Sequence, residues 1–160
     1  MTNDQEQRRV VLIYGASGNG KSYLAKQMSD NCGYHRVGLD DVYIKFIKEQ
    51  YPDLYLTDLN IVIAQHYHCI LKAWDHPGGK YHGAESAWGN YVASFAEDVS
   101  RRHPLVAIEG YLLDPVLNTV QQKLVDKAIV TRVEVRMWQY FVNGVVKSLE
   151  QICGGNDSAR

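Results

Sequence analysis

One eight-residue stretch constrains this chain more than any other. Gly15-Ala16-Ser17-Gly18-Asn19-Gly20-Lys21-Ser22 has the spacing G-x-x-x-x-G-K-[ST], which acts only between a strand and a helix. Its flanks predict both. Arg9-Val10-Val11-Leu12-Ile13-Tyr14 is a short apolar, β-branched run, the signature of a buried central strand. Ser22 to Met28 is rich in helix formers, with Leu24 and Met28 four apart on one face. Glycines let the intervening backbone curl with its N–H groups inward, and the helix start adds the positive end of its dipole. A polyphosphate fits such a nest. Gly15, Ala16, Ser17, Gly18, Asn19, Gly20, Lys21, Ser22 and Tyr23 form the expected nucleotide-binding set. Lys21 would reach the β- and γ-phosphates, and the Ser22 hydroxyl would hold Mg²⁺. The motif leaves open what happens to the phosphate.

With 160 residues, the chain is expected to form one domain large enough to bury most of its apolar surface without staples. Its 46% hydrophobic and 22% charged content is that of an ordinary soluble globule rather than a disordered chain. A formal net charge of -1 gives no overall basic field for a nucleic-acid backbone, and no clear nucleic-acid patch stands out. The cysteines, Cys32, Cys69 and Cys153, are odd in number and contain no C-x-x-C pair, which predicts reduced thiols and a cytoplasmic setting. No apolar run is long enough to cross a bilayer, and the polar stretch Met1 to Gln7 does not read as a signal peptide.

Further along, the first helix should stop at Asn31-Cys32-Gly33. Tyr34 to Leu39 reads as a short strand ending in Asp40-Asp41, and one of these aspartates should cap a helix from Val42 to Gln50. Asp58 opens a long helical pattern that runs to Trp74, where Asp75-His76-Pro77-Gly78-Gly79 breaks it. Residues 75–83 are expected to be a mobile loop. In Ala84 to Arg102, Trp88, Tyr91, Val92, Phe95 and Val99 form one helical stripe, read as core. Pro104 to Ile108 is a second buried strand, ending in Glu109-Gly110. A helix is expected from Pro115 to Val125, a weaker strand at Lys127 to Val130, and a short helix at Ser148 to Ile152. Arg132 to Phe141 fits strand or helix on pattern alone. The alternation predicts an α/β fold with a parallel sheet flanked by helices.

In an open parallel sheet, ligands bind beyond the carboxyl ends of the strands. Asp40, Asp41 and Glu109 are expected there, beside the glycine-rich loop. Phosphoryl transfer needs held phosphates, a bridging metal, an oriented hydroxyl and positive charge on the migrating group. A carboxylate after the second strand can accept the hydroxyl's proton, which makes Asp40 or Asp41 the candidate base. Ser22, Asp40 and Glu109 are the candidate Mg²⁺ ligands.

The loop, the stretch Asp40-Asp41-Val42-Tyr43 and the segment Leu105-Val106-Ala107-Ile108-Glu109-Gly110-Tyr111-Leu112-Leu113 resemble P-loop small-molecule kinases, nearest in appearance to uridine kinase and nicotinamide riboside kinase. The resemblance implies a three-layer P-loop NTPase fold, with ATP and Mg²⁺ as cofactors. It also implies a small-molecule acceptor, nucleoside-like or another metabolite, whose hydroxyl takes the γ-phosphate. The aspartate after the second strand would be the base, with Asp40 slightly favoured over Asp41. Thr131 to Met137 is similar to the family's arginine-rich lid. By that match the segment would be helical, and Arg132 and Arg136 would join Lys21 as catalytic cations. The family's fifth strand and base-contacting loop have no counterpart in the chain up to Arg160, so the single domain is expected to lack them.

Two other patterns are weaker. Asp75-His76-Pro77-Gly78 matches the D-x-x-G switch of GTPases, with Thr57 as a switch threonine, but no N-K-x-D motif accompanies it. His66, His68, Cys69, His76 and His82 could suggest a metal, but His66 and His68 are two apart, on different faces of a helix, and no cysteine pair supports them. Lys80, Tyr81 and His82 are weak candidates for acceptor contacts. The alternative function is a nucleotide-binding or NTPase module without kinase activity, for which an acidic pair beside the loop would be superfluous.

Overall fold

The computed structural model describes residues 7–16, 18–52 and 75–136. Alternate residues of the first strand, β1 (Arg9–Tyr14), enter two different cores. Val10 and Leu12 join one apolar cluster, and Val11 and Ile13 join the other. A strand covered on both faces has no polar side to show, which is why its sequence is apolar without alternation. Three further strands run parallel to it: β2 (His35–Gly38), β3 (Leu105–Glu109) and β4 (Ile129–Glu134). Their order across the sheet is β2-β3-β1-β4.

Helix α1 (Lys21–Cys32) covers one face, with Leu24, Ala25 and Met28 packed beside Val11, Ile13 and Ala107. Gly33 ends it in the left-handed conformation, φ 72°, its N–H donating to the Met28 carbonyl oxygen. The other face carries α2 (Leu39–Gln50), α3 (Ala84–Arg102) and α4 (Leu117–Leu124). Trp88 is fully buried among them, edge-on to Tyr43 with ring centroids 5.3 Å apart. Its indole N–H donates to the Leu112 carbonyl oxygen at 3.0 Å. Truncating a buried Trp typically costs about 3–5 kcal/mol, so this residue is a principal anchor of the layer. The predicted stripe on α3 is confirmed. Trp88, Val92 and Val99 are buried, and Tyr91 and Phe95 pack at the edge of the same cluster.

The described residues therefore form an α/β fold, with a four-stranded, all-parallel sheet flanked by helices on both faces. The crossover from β1 to β2 uses the α1 face, whereas that from β3 to β4 uses the α4 face. Adjacent strands β1 and β3 thus send their chains in opposite directions, and a crevice opens at their carboxyl ends.

Four expectations need correction. The second strand stops at Gly38, and Asp40 and Asp41 lie in the first turn of α2 without making a side-chain cap. Buried Leu39 starts that helix, one turn earlier than the aspartates suggested. The segment around Arg132 is strand rather than helix, because Ile129, Val130, Thr131 and Val133 are β-branched and pair in register with β1. A six-residue 3₁₀ segment, Tyr111–Val116, precedes α4, whose start is delayed past Pro115. Cys32 is disulfide-bonded, whereas all cysteines were expected to be reduced. Three cysteines can form one bridge and leave one thiol, and their count alone does not distinguish the cases. The helices expected at 58–74 and 148–152, Ser17, Thr57, His66, His68 and Cys69 lie outside the described residues. No helix among the described residues is long and apolar enough to cross a membrane.

Candidate functional site

After Tyr14 the chain turns sharply into the glycine-rich loop. Gly15 adopts φ 129°, and a Cβ there would collide with the Val135 carbonyl oxygen, so both conformation and space demand glycine. Its N–H donates to Asp114 Oδ1 at 3.0 Å. From the other side, the Asn19 amide donates to the carbonyl oxygens of Val135, at 3.0 Å, and Arg136. The loop is thus held between the 3₁₀ segment and the end of β4. Gly20 enters α1 with φ 91° and, lacking a side chain, contributes no side-chain cap. The positive dipole end of α1 thus faces the loop, an arrangement that favours an anion.

Lys21 is the first residue of α1 and only 7% exposed. Its ammonium donates to the Ala16 carbonyl oxygen at 2.6 Å. Burial pushes its pKa below the ordinary lysine value, while Glu109, Asp114 and Asp40 oppose that shift. Glu109, at the end of β3, is only 6% exposed. It pairs in register with Ile13 of β1 and Gly38 of β2, which brings it to the mouth of the crevice. Its Oε1 accepts a hydrogen bond from Arg36 Nη2 at 3.0 Å.

Asp40 lies in the first turn of α2. The residue as a whole is exposed, yet its pKa is raised above the usual carboxylate value by burial, Glu109 and Asp41, with Lys21 opposing. The two observations fit a side chain with one flank in water and its carboxylate turned to the crevice. Gly18, Gly20, Lys21, Ser22, Asp40, Glu109 and Gly110 line one pocket of about 330 Å³. A larger cavity, about 760 Å³, opens near the amino ends of the strands, lined by residues such as Arg8, Pro104 and Ile129. It lies at the pole opposite the glycine-rich loop, so the smaller pocket is the candidate site.

Several sequence candidates fall elsewhere. Tyr23 is exposed, and Asp41 is exposed beside Asp40 without lining the pocket. Arg132 donates to Asn118 Oδ1 at 3.2 Å and Gln121 Oε1 at 3.0 Å, which turns it toward α4. Arg136 pairs with Glu134 at 2.8 Å. Asp75 accepts from the N–H groups of Gly83, at 2.7 Å, and Glu85, at 3.0 Å. Its carboxylate therefore caps the start of α3, which gives Asp75-His76-Pro77-Gly78 a structural role. Lys80, Tyr81 and His82 lie on that turn and do not line the pocket.

Two site residues were missed. Arg36 has no local signal in a four-residue strand. Asp114 precedes Pro115 and reads as an ordinary turn residue. Only the fold brings Asp114 to the loop and Arg36 to Glu109.

A metal ion at the pocket would draw on few protein ligands. Among the described residues, no group of three His, Cys, Asp or Glu side chains converges on one point. Ser22, Asp40 and Glu109 do share the pocket, an all-oxygen set of the kind that suits Mg²⁺ when phosphates supply the remaining ligands.

No protein-family model matches the sequence, and no curated protein is significantly similar to it.

Proposed function

We propose that the chain is a P-loop phosphotransferase that moves the γ-phosphate of Mg·ATP to a hydroxyl of a small metabolite. The observation that carries this reading is the shared pocket, where Gly18, Gly20, Lys21 and Ser22 face Asp40, Glu109 and Gly110. A module that only binds nucleotide needs the first group. The second supplies a proton acceptor within the same space.

In this reading the loop N–H groups and Lys21 grip the phosphates. The acceptor hydroxyl gives its proton to Asp40, and its oxygen forms a bond to the γ-phosphorus. The bond from that phosphorus to the bridging oxygen breaks and leaves ADP. Burial and the neighbouring Glu109 and Asp41 carboxylates favour the proton on Asp40, which suits it to accept one. Mg²⁺, held by Ser22 and Glu109, would neutralise charge on the phosphates and leave Asp40 to act as the base. The strand order, with β1 and β3 flanking the crevice, supports a P-loop fold.

Screening ATP consumption against nucleosides, sugars and vitamins tests the proposal. Acceptor-dependent ADP release is expected, cut by roughly two or more orders of magnitude in Asp40→Asn. ATP hydrolysis independent of any acceptor would instead identify an NTPase module. Full turnover in Asp40→Asn would remove Asp40 as the base.

A further inference from the structure

We infer that Arg36 is a positioning residue: it holds the Glu109 carboxylate away from Lys21 and so leaves the lysine ammonium free for phosphate. This rests on the phosphate-binding reading of the pocket and adds to it a residue outside the pocket lining. Arg36 stands two residues before Gly38 on β2, so both lie on one side of the strand. Gly38 pairs with Glu109 across the ladder. A Cβ built on Gly38 would stand 3.6 Å from Glu109 Oε1, so the carboxylate lies on the same side of the strand as Arg36. The resulting contact, Nη2 to Oε1 at 3.0 Å, joins a half-exposed guanidinium to a buried carboxylate.

A buried carboxylate must find a cation or give up its charge. Lys21 lines the same pocket, and among the carboxylates acting on its ammonium Glu109 is the strongest. Without Arg36, Lys21 is therefore the partner left to Glu109. A Glu109–Lys21 pair would occupy the ammonium that the phosphates need, at the mouth of the loop. Arg36 suits the task because its fixed fork binds a carboxylate directionally from outside the pocket.

The test is a double-mutant cycle read by calorimetric titration of ATP in EDTA, so that metal plays no part. Wild type, Arg36→Met, Glu109→Gln and the double variant are compared. Arg36→Met should weaken ATP binding about tenfold, the low end for losing a hydrogen bond between charged groups. With metal chelated, Glu109→Gln should bind ATP more tightly than wild type, because the competing carboxylate is gone, and adding Arg36→Met to it should change nothing further. Arg36→Lys keeps the charge without the fork and should fall between wild type and Arg36→Met, which provides a second reading if the methionine variant folds poorly. Unaltered affinity in Arg36→Met overturns the inference. So does the same loss in both backgrounds, because it would reflect only the removal of one positive charge. A wild-type protein that binds no ATP overturns the underlying phosphate-site reading instead.

Discussion

The side-chain amide of Asn19 donates to the carbonyl oxygen of Val135 at 3.0 Å, tying the glycine-rich loop to the end of β4. The same amide reaches the Arg136 carbonyl oxygen, and Gly15 lies against Val135 from below. The loop is therefore shaped by a strand more than a hundred residues away. Asn19→Ala removes both bonds and should cost about 1 kcal/mol, lowering the melting temperature by about 3 °C. It should also weaken ATP binding, because the loop N–H groups lose their fixed orientation. Thermal unfolding and titration of one preparation check both, and unchanged values would show that the clamp has no role.

A pH dependence follows from His35 and His103, whose rings stack with centroids 3.8 Å apart and an interplanar angle of 3°. Burial lowers the pKa of His35, helped by His103 and Arg102. His35 keeps exposed surface, and one face of its ring stacks on His103. The folded state binds its proton less readily than the unfolded state. The associated stability is present above the ordinary histidine pKa and is lost as pH falls below it. Melting temperature should drop between pH 7.5 and 5.5, and His35→Gln should reduce that drop. An identical pH profile in the variant would contradict this account.

The sequence disclosed what depends on neighbours along the chain. The apolar run of β1 predicted a strand buried on both sides, and Trp88, Val92 and Val99 marked the inner face of α3 four or more residues at a time. The loop motif predicted a helix directly after it, and Lys21 and Ser22 open that helix. Contacts that join distant segments were invisible. Gly15 with Asp114, Asn19 with Val135, and Arg36 with Glu109 form only when the sheet order is known. Asp40 and Asp41 were misplaced onto a strand end because aspartate favours caps. Leu39 outweighed that preference by burying its side chain in the core and starting the helix before them.

Arg132 and Arg136 should part company on substitution. Arg132 is engaged with Asn118 and Gln121 and lies over the Tyr14 ring at 5.9 Å. Arg132→Ala should therefore cost about 1 kcal/mol or less of stability and leave turnover nearly unchanged. Arg136 sits where Asn19 joins the loop to β4, and its side chain is exposed and, among the described residues, paired only with Glu134 of the neighbouring strand end. Its replacement should lower turnover more than nucleotide affinity, as expected for a contact made in the transition state. Steady-state kinetics beside titration separates the two. Equal effects at both positions would refute the distinction.

The phosphate grip of Lys21 is the claim on which the rest depends, and calorimetric titration with Mg·ATP tests it most directly. Lys21 is buried at the start of α1 and donates to the Ala16 carbonyl oxygen at 2.6 Å, a bond that phosphate oxygens would replace with one charged on both sides. Wild-type protein should bind Mg·ATP at one site, and Lys21→Ala should lose most of that affinity while its melting temperature stays close to wild type. Undiminished binding in Lys21→Ala would contradict the account.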